Sequence, residues 1–150
     1  MKSILTFLLC LSFFAGVSQT TEIDKRAETL LNDFMKALLI ENSEASAKAC
    51  LKHVHKSLMN SNGDNLTKDL LDFSFKKAHS NAKFYANPVK ITRVRKNKVT
   101  AIGFKETGEN GSEYSYFISK KDGVNGMPAP VNIFFPADGS APKISYMGSL

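Results

Sequence analysis

The apolar pattern of this 150-residue chain changes once along its length, near Pro88. Before Pro88, apolar residues recur at spacings of three and four, which is typical of amphipathic helices. After it, short runs rich in β-branched and aromatic residues alternate with turn residues, which is typical of strands. Helices followed by strands predict an α+β fold, with N-terminal helices packed on one face of an antiparallel sheet.

The helical half is predicted to contain three helices. Thr21 is placed to cap the first, with Asp24 at the third position of a near capping box. Ser43 is placed to cap the second, whose apolar side extends to Leu58. A third helix is expected to begin near residues 65–67. The first helix should bury one stripe, made of Ile23, Ala27, Leu30, Leu31, Phe34 and Leu38.

The second half is predicted to form four or five antiparallel strands. Asn110-Gly111 is the strongest hairpin signal, because a type I′ turn needs positive φ at both of its central residues. No internal repeat, low-complexity tract or linker interrupts the chain, which favours a single domain over residues 19–150. The predicted strands are residues 89–95, 99–105, 114–119, 131–135 and 143–147.

Residues 1–18 have the layout of a secretory signal peptide. Lys2 precedes an uncharged apolar run at residues 3–14, which is too short to span a bilayer. Small residues follow, and Gly16 and Ser18 suit positions −3 and −1 of a cleavage site. We therefore expect cleavage after Ser18, a secreted or periplasmic product, and no transmembrane anchor after cleavage.

Cleavage would also change the cysteine content. It removes Cys10 and leaves Cys50 as the one cysteine of the mature chain, so no intramolecular disulfide can form. A lone cysteine can be a nucleophile or an intermolecular bridge. More often it is a small buried hydrophobe, and we predict that role for Cys50.

Positive charge is concentrated in one part of the chain. The formal net charge is +6, and no acidic residue occurs between Asp72 and Glu106. Such a basic band suits an anionic surface or an acidic partner, while the simpler interpretation is a solvated face. For an exported protein no nucleic acid is expected as a partner. The residues predicted to contact an anionic surface are Lys90, Arg93, Arg95, Lys96 and Lys98.

The order of helices and strands, together with the closing segment VNIFFPADGSAPKISYMGSL, resembles the nuclear transport factor 2-like superfamily. The resemblance extends over the mature chain. It implies a cone-shaped fold in which a curved sheet wraps around a helix and encloses an apolar pocket, often in a homodimer. A cystatin-like arrangement, with one helix across a sheet, is the structural alternative. The superfamily contains both enzymes and binding proteins, so the fold alone does not assign a function.

The aromatic content favours a binding protein over an enzyme. We predict an exported, non-enzymatic domain whose conical cavity binds a small apolar or amphipathic ligand, or a partner segment. No metal-ligand spacing or cofactor motif is present, so neither a metal nor a cofactor is expected. The enzymatic alternative is a lyase or isomerase with His55 as acid–base residue. The predicted ligand-binding residues are Phe34, His55, Phe73, Tyr114, Tyr116, Phe134 and Tyr146.

Overall fold

Three α-helices and a four-stranded antiparallel sheet make up the regular structure of the described residues, which confirms the α+β class. The computed structural model describes residues 24–98 and 107–150. The predicted signal peptide at residues 1–18, the predicted cap Thr21 and the predicted strand at residues 99–105 lie outside these ranges.

Helix α1 spans Lys25–Leu38 and begins one turn later than a Thr21 cap would place it. Asp24 is the N-cap, and its Oδ1 accepts a hydrogen bond of 2.8 Å from the main-chain N–H of Arg26. The prediction of a Thr21 cap for this helix is therefore wrong, because Asp24 holds the N-cap position and accepts from a free N–H of the first turn. The predicted stripe is confirmed in large part, and the buried residues are Ala27, Leu31, Phe34, Met35, Ala37 and Leu38.

Helix α2 spans Ser43–Leu51 and has Asn42, not Ser43, as its N-cap. It ends well before Leu58, so the predicted extension is wrong. The following segment is extended and lies beside the last strand of the sheet. His55 N–H donates to the Ile144 carbonyl at 2.7 Å, and Ile144 N–H donates to the His53 carbonyl at 2.9 Å. These long-range hydrogen bonds replace the local ones that a continuing helix would make.

The third helical region changes geometry along its length. A π-helical segment, Leu70–Phe75, leads into helix α3 at Lys76–Asn81, and a 3₁₀ turn follows at Ala82–Phe84. Phe75 and Ala78 are buried as the apolar pattern predicted. Phe73, in contrast, is 73 % exposed.

The sheet has the order β1-β2-β3-β4, with strands Ile91–Lys96, Gly111–Ile118, Ala129–Pro136 and Lys143–Tyr146. The register irregularities between Ile91 and Arg93, and between Asn132 and Ile133, are the kind that bend strands.

Alternation along β2 assigns its side chains to two faces. Tyr114 and Tyr116 share one face with their partners on β3, Ile133 and Val131. Helix α1 lies on this face, because Arg26 near its start stacks over Phe135 of β3 at 5.4 Å. The opposite face carries Glu113, Ser115 and Phe117, paired with Phe134, Asn132 and Pro130.

The predicted type I′ turn at Asn110-Gly111 is not formed. Gly111 is already part of β2 and pairs with Pro136, and the positive φ of this loop belongs to Gly108 at 69°. The reason is a long-range contact, since the Ala137 N–H donates to the Asn110 carbonyl at 2.8 Å. Gly111 is needed there for close packing, because a Cβ atom would lie 2.5 Å from Cζ of Phe134 and also against the Phe135 carbonyl.

Substitution Gly111→Ala should therefore destabilise the protein, by about 1–3 kcal/mol as overpacked sites do. Urea unfolding followed by circular dichroism measures the change. Gly139→Asn is the matched control, because a Cβ atom there meets nothing within 4 Å and asparagine tolerates positive φ. Equal losses in the two variants would contradict the packing explanation.

Candidate functional site

A cleft of about 480 Å³ lies between the start of α1 and the ends of β2 and β3. The cleft is open at the surface and has both apolar and polar walls. Its position follows from the fold, since α1 crosses the face of the sheet that carries Tyr114 and Tyr116. The lining residues are Asp24, Arg26, Gly111, Ser112, Tyr114, Tyr116, Phe135, Pro136 and Ala137.

Three aromatic rings form the apolar wall of the cleft. Tyr114 meets Phe135 edge to face, with ring centroids 5.5 Å apart, and the centroid of Tyr116 lies 6.5 Å from that of Phe135. Tyr116 is 2 % exposed, and burial raises the pKa of its phenol to about 12. The hydroxyl therefore stays protonated at neutral pH and can donate a hydrogen bond.

Asp24 and Arg26 form the polar wall. The Arg26 guanidinium contacts the Asp24 carboxylate at 2.8 Å and lies over the Phe135 ring at 5.4 Å. The hydrogen bond from Arg26 is the main reason that the pKa of Asp24 is lowered, although burial opposes it. Asp24 thus caps α1 and, together with Arg26, forms the polar wall of the cleft.

His55 lies in a polar site that is separate from the cleft, between Glu109 and Ser57. The imidazole is 3 % exposed and contacts the Phe134 ring edge to face at 5.2 Å. Its Nε2 is 2.5 Å from Oε2 of Glu109, and its Nδ1 is 2.8 Å from Oγ of Ser57. Carboxylate, imidazole and hydroxyl are therefore arranged in series.

The protonation of His55 follows from its hydrogen bonds. The main-chain N–H of Ser57 donates to Nδ1 at 3.1 Å, so Nδ1 is an acceptor and the ring proton is on Nε2, facing Glu109. Burial lowers the pKa of His55, and Glu109 opposes that shift. Because Nδ1 caps the short 3₁₀ turn Lys56–Leu58, a proton taken up there would break the cap. These hydrogen bonds give His55 a structural role, since it caps the 3₁₀ turn and connects it to Glu109.

The predicted ligand-binding residues do not form one site. Tyr114 and Tyr116 meet in the cleft, whereas Phe34 is fully buried in the core. Phe134 lies with His55 on the opposite face of the sheet. The remaining two are exposed, Phe73 at 73 % and Tyr146 at 45 %.

Of the nine residues that line the cleft, sequence reasoning predicted only Tyr114 and Tyr116 as ligand-binding residues. Among the seven that it missed are Arg26, Ser112 and Phe135. Ser112 could have been predicted from the sequence, since side chains two residues apart on a strand share a face and Ser112 lies two residues before Tyr114. Phe135 could not, because its place on the sheet face that α1 covers depends on its pairing with Ser112 of β2. Arg26 joins the site because α1 begins at Lys25, one turn after the Thr21 cap assumed from the sequence.

The predicted basic residues divide between two faces of β1. Val94 is buried, and Arg93 and Arg95 lie on the other face, with their guanidinium carbons 3.8 Å and 5.8 Å from the Phe117 ring centre. Lys96 instead lies 5.8 Å from the Tyr114 ring. Lys90 and Lys98, at either side of the strand, are exposed.

Cys50 has the environment of a structural residue. It is fully buried and unpaired, which confirms the prediction of a small buried side chain. Burial raises the pKa of its thiol to about 12, so the thiolate required for nucleophilic attack is scarce at neutral pH. Within residues 24–98 and 107–150, no group of three or more histidine, cysteine or acidic side chains is arranged to hold a metal ion.

A buried polar cluster lies on the sheet face opposite α1. The Glu113 carboxylate accepts hydrogen bonds from Ser145 Oγ at 2.7 Å and Asn97 Nδ2 at 2.6 Å. Ser115 Oγ lies 2.9 Å from Asn97 Oδ1 and 2.8 Å from Asn132 Oδ1. Glu113 is only 5 % exposed, so these neutral donors replace the water that its carboxylate loses.

Comparisons with protein-family models, with curated proteins and with solved structures find no match to this chain. The resemblance to the nuclear transport factor 2-like superfamily therefore stays a prediction. Of the helices in the described residues, none is both long and apolar enough to cross a membrane.

Acid should destabilise the protein through its buried histidines. Burial lowers the pKa of both His53 and His55, while an unfolded histidine has a pKa of about 6.5. The unfolded state therefore binds more protons as the pH falls through that value. We expect the free energy of unfolding to decline from about pH 7 towards about pH 5.

Denaturant unfolding of His55→Asn over the same pH range tests this origin. Asparagine can still cap the turn but does not titrate, so the pH dependence should be smaller, with the remainder from His53. The variant should also lose about 0.5–1.5 kcal/mol at neutral pH, because the hydrogen bond between His55 and Glu109 is lost while Thr107 and Lys56 stay with Glu109. An unchanged pH dependence would show that His55 is not its source.

Proposed function

We propose that this chain is an exported, non-enzymatic protein that binds a small amphipathic molecule in the cleft between α1 and strands β2 and β3. The observation that carries the proposal is the composition of the cleft wall. Tyr114, Tyr116 and Phe135 supply ring surfaces, and Arg26 supplies a cation beside them. Few converging polar groups on an aromatic wall are typical of small-molecule sites.

The chemistry of the wall defines the class of ligand. Flat rings at the cleft favour a planar or aromatic part in the ligand, because offset and edge contacts between rings are favourable. The Tyr116 hydroxyl and the Arg26 guanidinium favour a polar or anionic group at one end. Asp24 already neutralises part of the Arg26 charge, so the ligand does not need a high charge.

The position of His55 favours binding over catalysis. His55 packs on Phe134, on the sheet face opposite Tyr114 and Tyr116, and its Nδ1 is engaged in the cap of the 3₁₀ turn. An acid–base residue must come within hydrogen-bond reach of the reacting atoms. The sheet separates His55 from a ligand in the cleft.

The finer fold assignment and the location belong to the same proposal. Helix α1 across the sheet and the two bends in the strands support a cone-shaped, nuclear transport factor 2-like arrangement, with a cystatin-like one as the alternative. The signal-peptide pattern of residues 1–18 supports export to a secreted or periplasmic location. The homodimer implied by the resemblance stays a prediction.

Binding of 1-anilinonaphthalene-8-sulfonate, which joins aromatic rings to an anionic group, tests the cleft. We expect saturable fluorescence enhancement with one site, and Tyr114→Ala should weaken it about two- to tenfold, as the loss of an aromatic contact does. Ser112→Trp should fill the cleft and abolish binding. Tyr146→Ala is the matched control, since Tyr146 is not among the lining residues of the cleft.

Isothermal calorimetry of the same four proteins excludes nonspecific dye fluorescence. Circular dichroism shows that each variant is folded. Equal affinity of the wild type, Ser112→Trp and Tyr146→Ala for the probe would overturn the proposed site.

A further inference from the structure

Two arginines on β1 share one aromatic ring on the sheet face opposite α1. The guanidinium carbons of Arg93 and Arg95 lie 3.8 Å and 5.8 Å from the centre of Phe117. Neither arginine forms an ion pair with a residue of the described ranges. The ring holds two like charges close together, and no acidic side chain of the described residues pairs with either of them.

An open apolar groove of about 530 Å³ begins beside these arginines. Its lining residues are Thr92, Arg93, Phe117, Met127, Pro128 and Pro130. Met127 is 86 % exposed. It belongs to the loop between β2 and β3, where Gly123 and Gly126 have positive φ, so the loop brings an apolar side chain to the surface beside a cationic pair.

A second exposed ring lies next to the same loop. The Lys121 N–H donates to the Phe84 carbonyl at 2.9 Å, and Phe84 is 40 % exposed with the Lys83 ammonium over its ring. The loop itself contains Lys120 and Lys121 and one acidic residue, Asp122. Basic and apolar side chains are thus interleaved here. We call this set the Met127 surface: Phe84, Arg93, Arg95, Phe117, Lys121 and Met127.

We propose that the Met127 surface docks on an anionic lipid bilayer. Exposed apolar side chains surrounded by arginine and lysine suit the bilayer interface, where the apolar groups enter the acyl boundary and the cations meet lipid headgroups. Met127 is 86 % exposed, and Phe84, in the 3₁₀ turn, is 40 % exposed. An acidic peptide, the alternative partner, would be held by the arginine pair, and it gives no role to an apolar side chain as exposed as Met127. The docking surface is separate from the cleft and does not depend on the proposed function.

Vesicle co-sedimentation tests the proposal with purified protein, once mass spectrometry has shown that the apolar run at residues 3–14 is absent and therefore cannot itself bind lipid. We expect binding to phosphatidylcholine vesicles that contain phosphatidylglycerol, and little binding to phosphatidylcholine alone. Added salt should weaken it. The double substitution Arg93→Gln and Arg95→Gln should reduce binding about tenfold or more, and Met127→Ser about threefold or more.

The matched control is the double substitution Lys36→Gln and Lys48→Gln, which removes the same charge from exposed positions on α1 and α2. It should bind vesicles like the wild type if the Met127 surface is responsible. Equal losses in the two double variants would show a nonspecific charge effect and overturn the proposal. Binding to polyglutamate as tight as binding to vesicles, with no effect of Met127→Ser, would assign the surface to an acidic polymer instead.

Discussion

Two main-chain hydrogen bonds to Ile144 connect the helical half of the chain to the sheet. They hold residues 53–55 extended beside β4, as a parallel neighbour of that strand. Val54 is thereby placed in the core, and His55 is aimed at Glu109 and Phe134. The end of α2, the cap of the following turn and the contact with the 107–110 loop all depend on this pairing.

The predictions from sequence were most accurate where local pattern and tertiary packing agree. The apolar stripe of α1 is both helical in spacing and buried, and the last two strands were recognised from β-branched runs around a turn with Gly139. The α+β class follows from the same two patterns. In these elements each residue favours locally the conformation that the fold requires.

The errors share a different cause. Residues 52–58 continue the helical spacing of α2, but residues 53–55 are extended because β4 offers main-chain partners from more than eighty residues away. In the same way, Asn110-Gly111 suits a tight turn, yet Gly111 is needed where Phe134 approaches the backbone. Only Tyr114 and Tyr116 of the cleft were predicted, because Arg26 and Phe135 join them through tertiary contacts that no spacing encodes.

The buried carboxylate of Glu113 has a consequence for how the strands find one another. Its donors, Asn97 and Ser145, come from β-structure on both sides of β2 and β3, and they meet Glu113 in one alignment only. A shift of β2 by one residue would turn that carboxylate to the other face of the sheet and break both hydrogen bonds. A misaligned sheet would also leave Asn97 and Ser145 without this acceptor. Glu113 therefore disfavours slipped pairings during folding.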